Sequence, residues 1–175
     1  MFKFIIITLA VTYCLVAAIA AIISKRKIYF VMLKPDGFSH KQRGRALVLL
    51  SKEFNFVKTT GVCSLDEQAV REIYADKINE SWFNELVTYI TSGSVEGFLL
   101  KKKFSFFRPS TWAFSWLSGF KDLSAIIGAT HDAEPGTVRW LFRGDGDKNH
   151  NGIHRCDKEN LVMKQYISVW ECLKN

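Results

Sequence analysis

Ile28-Tyr29-Phe30-Val31-Met32-Leu33-Lys34-Pro35-Asp36-Gly37 is the stretch on which the fold turns. Six apolar, β-prone residues run without a polar interruption and then stop at proline, aspartate and glycine. Proline cannot donate to a strand ladder and glycine accepts positive φ, so the run reads as a buried strand ending in a turn. Downstream, residues 44–54 place Leu47, Leu50 and Phe54 near helical spacing, which predicts a helix with one face on a sheet. Residues 57–65 alternate loosely and read as a second strand. Asp66 is positioned to cap a helix through Tyr74, and Ser81 to cap another that carries Trp82, Leu86 and Tyr89 until Ser92-Gly93 stops it. Residues 95–100 read as a third strand and 123–129 as a short helix. Thr130 opens a polar loop containing Pro135-Gly136, and the polar segment 143–151 reads as surface loop leading to Ile153-His154. The tail 157–173, with Leu161, Tyr166, Val169 and Trp170 on one stripe, reads as a closing helix. This order of elements predicts an α+β sandwich with a mixed or antiparallel sheet.

Upstream of the strand, residues 4–23 carry no charge, with Lys3 before them and Lys25, Arg26 and Lys27 after. At about 1.5 Å per helical residue this run spans a hydrocarbon core of about 30 Å, which predicts one transmembrane helix. A cleavable signal peptide is the rival, because Ala18-Ile19-Ala20 resembles a cleavage site. The run continues through Ala21, Ile22 and Ile23, which favours a retained single-pass anchor over secretion after cleavage near Ala20. The basic cluster favours a cytosolic C-terminal side by the positive-inside rule, unless part of it belongs to the folded domain. The expected organisation is therefore an anchor or signal at 1–26 and one domain at 27–175.

A chain of 175 residues with 48% hydrophobic content holds one compact domain and an appendage, and is too short for two ordinary domains. The formal charge of +7 points to an anionic partner: nucleotide phosphates, nucleic acid or an anionic membrane. No nucleic-acid motif supports the second of these. Cys14, Cys63, Cys156 and Cys172 have neither CxxC nor metal-ligand spacing, so neither a disulfide scaffold nor a zinc site is expected. No GxxxxGK[ST] or GxGxxG loop is present, so any phosphates must be held by side chains. Asp145-Gly146-Asp147-Lys148-Asn149 begins like a calcium loop, but His150 stands at its glycine position and Cys156 at its glutamate position. No protein-ligated metal is expected.

Asn151-Gly152-Ile153-His154 sets a histidine beside a side-chain amide in a turn of small and polar residues. Together with Lys34-Pro35-Asp36-Gly37, Tyr74, Trp82-Phe83, Ser92-Gly93 and Pro135-Gly136-Thr137-Val138-Arg139, it occurs in an order that resembles the nucleoside diphosphate kinases over about residues 27 to 173. The resemblance implies a ferredoxin-like α/β sandwich with a four-stranded antiparallel sheet, here preceded by the transmembrane helix. It implies transfer of a γ-phosphoryl group from a nucleoside triphosphate to a diphosphate through a phosphohistidine at His154. Asn151 and Lys34 would contact sugar and phosphates, Thr130 and Arg139 would hold phosphates, and Tyr74 would position the lysine and histidine. Trp82 would stack on the base where the family usually has phenylalanine, and a platform that reads no base edge implies broad nucleoside tolerance. Mg²⁺ would arrive with the nucleotide, and a homo-oligomer would be the usual assembly.

The chain departs from that family around the histidine. Arg155 and Cys156 follow His154 where the family has glycine and serine. The glutamate that normally orients the ring falls at Gln165 or Tyr166, so neither a charged partner nor a firmly fixed tautomer is expected. A phosphate-binding arginine falls near Ser124, leaving Arg155 or Lys121 to substitute if geometry allows. Residues 101–120, aromatic and basic with no acid, read as an insertion: an extra hydrophobic helix, an interfacial membrane contact or a surface for a partner protein.

Overall fold

A computed structural model describes residues 6–8, 11–15, 27–103, 119–142 and 151–173. Its sheet has four antiparallel strands in the order β2-β3-β1-β4: β1 at Tyr29–Leu33, β2 at Phe54–Ser64, β3 at Ser94–Lys102 and β4 at Ile153–Arg155. The expected ferredoxin-like antiparallel sandwich is the fold. β1 lies between β3 and β4, and all five of its residues are buried. Successive side chains of a strand point to opposite faces. Phe30 and Met32 enter one core while Tyr29, Val31 and Leu33 enter the other. The unbroken apolar run is the sequence of a central strand covered on both sides.

Helices α1 (Pro35–Ser39), α2 (Arg43–Glu53), α3 (Glu67–Ile73), α4 (Phe83–Thr91), α5 (Gly119–Ile127), α6 (Val138–Leu141) and α7 (Val162–Glu171) divide between the two faces. Val70 and Ile73 of α3, Phe83 and Ile90 of α4, and Val162 and Val169 of α7 close over the Phe30 and Met32 face. Ala46 and Leu50 of α2, Leu123 and Ile127 of α5, and Val138 of α6 close over the other.

Several expectations shift. Asp66 does cap α3, its Oδ1 accepting from the Ala69 N–H at 2.7 Å. Ser81 does not cap α4, because Trp82 holds the N-cap position without a side-chain bond. The second strand starts at Phe54, directly where α2 ends, and the third runs on to Lys102. Lys101 and Lys102 therefore belong to β3, and Lys102 pairs with Asp122 of α5. Phe120 packs edge-on against Tyr29, with ring centroids 4.8 Å apart, and so lies partly buried against the core. Residues 104–118 of the expected insertion lie outside the described residues. Cys63 of β2 and Cys172 beyond α7 form a disulfide across a separation of 109 residues, a cross-link their spacing did not announce. Residues 6–8 and 11–15 are helical, and the rest of the expected anchor at 4–23 lies outside the described residues. Among the described residues no helix is long and apolar enough to cross a membrane, so the transmembrane helix is not part of the architecture described.

Candidate functional site

The two sequence motifs meet because the C-terminal end of β1 docks onto the start of β4. The Lys34 N–H donates to the Gly152 carbonyl at 2.9 Å, and the Gly152 N–H donates to Asp36 Oδ2 at 3.0 Å. Asp36 Oδ1 accepts from the Tyr89 hydroxyl of α4, so one carboxylate ties the turn to a helix. Gly37 faces this junction: a Cβ there would lie 1.9 Å from the Gly152 carbonyl oxygen. Gly152 itself has φ +71°, a left-handed conformation that glycine takes without penalty. The Lys34 Nζ donates to Asn151 Oδ1 at 2.9 Å, although both residues are buried.

His154 is therefore a strand residue, paired with Met32, and not part of a loop as the small and polar residues around it suggested. The turn Asn151-Gly152 precedes it, and three residues are enough to complete the sheet beside β1. Its ring meets the Tyr74 ring edge-on, with centroids 4.7 Å apart. Tyr74 closes the C-terminus of α3, and its hydroxyl is buried with no hydrogen-bond partner.

The second side of the histidine is set by α7. His154 Nε2 lies 3.0 Å from Gln165 Oε1, and Gln165 Nε2 donates to the Ile73 carbonyl at 2.8 Å. That carbonyl belongs to the last turn of α3, where no intrahelical donor remains, so it fixes which way the amide points. The amide oxygen can only accept. His154 Nε2 must carry the proton, and Nδ1 keeps its lone pair. Between the two residues that sequence register offered, the structure selects Gln165; Tyr166 instead donates to the Thr59 carbonyl at 3.3 Å. The expectation of a loosely fixed tautomer is corrected, since a neutral amide anchored at its far end orients the ring. What the amide does not supply is negative charge. Burial pushes His154 down to about 4, reinforced by the nearby charges of Lys34 and Arg139 and opposed by the Gln165 hydrogen bond and by Asp157.

Arg139 reaches the cleft from α6, whose first turn is capped by the Thr137 hydroxyl accepting from the Trp140 N–H at 3.4 Å. Its Nη1 donates to the Gly128 carbonyl at 2.9 Å and to Thr130 Oγ1 at 3.1 Å, and its Nη2 to the Ile153 carbonyl at 3.4 Å. Burial and the neighbouring charge of Arg155 lower Arg139 to about 10, and it stays cationic at neutral pH.

Lys34, Tyr74, Trp82, Thr130, Arg139, Asn151 and His154, every expected site residue, line one cleft of about 390 Å³. Trp82 is 37% exposed at its rim, a flat apolar face open to a planar ligand. Arg155, Asp157, Lys158, Asp76, Lys77 and Gln165 line it too, and of these sequence reading had singled out only Arg155 and Gln165. The signal for the others, charged residues within the 3₁₀ turn Ala75–Lys77 and just beyond β4, has no periodicity and surfaces only in three dimensions. The cleft joins a neutral imidazole with one free nitrogen, fixed cations and an aromatic platform. This arrangement suits attack on an electrophile that carries several negative charges.

A family model described as nucleoside diphosphate kinase matches residues 28–171. The nucleoside diphosphate kinase of Metallosphaera sedula is 29% identical over 142 residues, covering 78% of this chain and 87% of the relative. Nucleoside diphosphate kinase 1 of Arabidopsis thaliana is 32% identical over 143 residues, covering 81% and 85%. Among solved structures, a nucleoside diphosphate kinase of Halobacterium salinarum in complex with CDP aligns with a TM-score of 0.63 at 27% identity, covering 82% of this chain and 86% of that one. The Aquifex aeolicus nucleoside diphosphate kinase shares the fold at a TM-score of 0.66 and 20% identity, covering 84% and 96%. With the histidine, its lysine and asparagine partners and the arginine gathered in one cleft of this fold, the chain belongs to the nucleoside diphosphate kinase family.

Proposed function

We propose that this chain moves a γ-phosphoryl group from a nucleoside triphosphate to a nucleoside diphosphate by way of a phosphohistidine at His154. The observation that carries the reading is the oriented ring: Gln165 Oε1 accepts the hydrogen bond from Nε2–H, which leaves Nδ1 as the nucleophile of a histidine that lines a cationic cleft. In the first half-reaction the Nδ1–P bond forms as the bond from phosphorus to the bridging oxygen breaks, and the diphosphate leaves with the electron pair. The ring then carries positive charge with its Nε2–H on the Gln165 oxygen. The second half-reaction reverses these steps with a new diphosphate. Lys34, Arg139 and Thr130 hold the phosphate oxygens, Asn151 keeps the Lys34 ammonium in place, and Trp82 stacks on the base. Because stacking reads no base edge, several nucleosides serve.

Among the described residues, Asp76 and Asp157 are the only carboxylates that line the cleft, and both are ion-paired. Among the described residues no cluster of His, Cys, Asp and Glu holds a metal unaided. Mg²⁺ fits as a passenger on the nucleotide, where it neutralises charge on the transferred group. A catalytically weakened, membrane-tethered module that binds nucleotide or another protein is the rival reading, motivated by Arg155, Cys156, Ser124 and the missing carboxylate beside His154. The anchored amide favours the enzyme, because it supplies the orientation that such a carboxylate would give.

We further propose that residues 4–23 are a retained anchor and that residues 27–175 form the tethered domain, on the strength of the uncharged run and its flanking cations. Incubating the full chain in detergent with γ-labelled ATP and Mg²⁺ should give an acid-labile, base-stable phosphoprotein that a nucleoside diphosphate discharges. His154→Ala should give none. Absence of label from the natural chain, or its persistence in the variant, would end the kinase reading.

A further inference from the structure

Arg155 follows His154 on β4 and has no task in the chemistry above. Its Nη2 lies 2.5 Å from Asp157 Oδ1, its side chain is only 19% exposed, and its Nε is buried without a hydrogen-bond partner. An arginine has five donors, and a buried donor left unpaired is costly. Arg139 is in the same condition, its Nε also buried and unpartnered. The two guanidinium groups are close enough that the charge of Arg155 contributes, after burial, to lowering Arg139. Like charges packed together in a cleft repel, and an anion bound between them by the outer guanidinium nitrogens relieves the repulsion. Around them the cleft lining carries Lys34, Lys77 and Lys158 against Asp76 and Asp157. Lys121, the other cation near in sequence, does not line it.

We propose that Arg155 is a second phosphate-binding arginine of this cleft, gripping the polyphosphate of the nucleotide beside Arg139. The assignment rests on the kinase reading above. Asp157 takes up Nη2 and holds the fork at the cleft wall, while the planar guanidinium keeps further donors for phosphate oxygens in a geometry that a lysine ammonium does not reproduce. The arginine is supplied by the histidine's own strand, so it moves with the nucleophile it serves.

The test compares the full chain with Arg155→Gln and Arg155→Lys by ADP titration calorimetry and by ligand-free melting. Arg155→Gln should raise the Kd for ADP about tenfold or more, the loss expected for one charged hydrogen-bonding partner. Arg155→Lys should recover part of that loss, and both variants should melt close to the natural chain. An ADP Kd within about twofold of the natural value in Arg155→Gln would overturn the assignment, as would equal losses in both variants accompanied by lower melting points. If the natural chain itself binds no ADP, the kinase reading fails. If it binds ADP and Arg155→Gln binds equally well, only the role of Arg155 fails.

Discussion

His154 is governed by two influences with different effects. Burial keeps its ring neutral, and Gln165 decides which nitrogen is free. A folded value of about 4 lies below the usual value near 6.5, so acid acts first on the unfolded chain. As pH falls from about 6.5 towards 4 the unfolded state takes up the proton that the fold refuses, and the fold loses stability; above 6.5 this contribution to pH dependence vanishes. Proton NMR, with His154→Gln used to assign the resonance, should find one ring titrating with a midpoint near 4. A midpoint near 6.5 would show that the ring is not held as described. Gln165→Glu should raise that midpoint, because a carboxylate favours the imidazolium, and should speed phosphohistidine formation for the same reason. Gln165→Leu removes the acceptor and strands the Ile73 carbonyl; labelling from ATP should slow by about tenfold or more, in line with the loss of other groups that orient a reactive histidine. Equal rates in all three proteins would leave the amide without a function.

Among the elements, β1 was legible because a central strand covered on both faces must be apolar throughout, and the Lys34-Pro35-Asp36-Gly37 stop marks its end without ambiguity. β4 was not legible. Ile153–Arg155 is three residues long and two of them are charged or titratable, so its pairing is dictated by the bonds from Lys34 and Asp36 to Gly152 and not by any local preference. The same cause hid the part played by Asp36, whose contacts on Tyr89 and Gly152 lie far away in sequence. The cleft residues carried by motifs were found, while Asp157, Lys158, Asp76 and Lys77 were not, because solvated charges look alike until the fold gathers them. The motif junction makes its own prediction. Gly37→Ala would drive a Cβ into the Gly152 carbonyl oxygen, 1.9 Å away, and backbone on both sides must move. The expected cost is roughly 1–3 kcal/mol, read as a melting point lower by about 2–4 °C for each of these. Labelling of His154 should slow as well, because Asn151 and β4 shift with the turn. Gly44→Ala is the control: nothing lies within 4 Å of that Cβ, and the helix should be unharmed or slightly stabilised. If Gly37→Ala melts and labels like the natural chain, the docking of the two motifs is not what sets the site.

For the molecule as a whole, the cationic cleft suits the capture of a polyphosphate, and a net charge of +7 favours the approach of an anion. The proposed tether and the cross-link concern where this happens. The Cys63–Cys172 disulfide joins the outer strand β2 to the end of α7, the helix that carries Gln165, and such bonds persist in oxidising compartments. The basic cluster after the uncharged run argues for the opposite side, yet Lys27 is engaged by Glu159 at 3.4 Å and belongs to the folded domain. With one cation removed from the count, and Lys3 on the other flank of the run, the positive-inside argument loses much of its force. The expected outcome is therefore a chain that sediments with membranes, withstands carbonate and is released by detergent. In sealed vesicles of native orientation its domain should resist added protease, and Cys63 and Cys172 should resist alkylation until a reductant is added after solubilisation. Digestion of the domain in intact vesicles, with both thiols free, would place it in a reducing compartment. Recovery in the soluble fraction with a new N-terminus near Ala21 would show instead that the apolar run is a cleaved leader, and that the kinase works untethered.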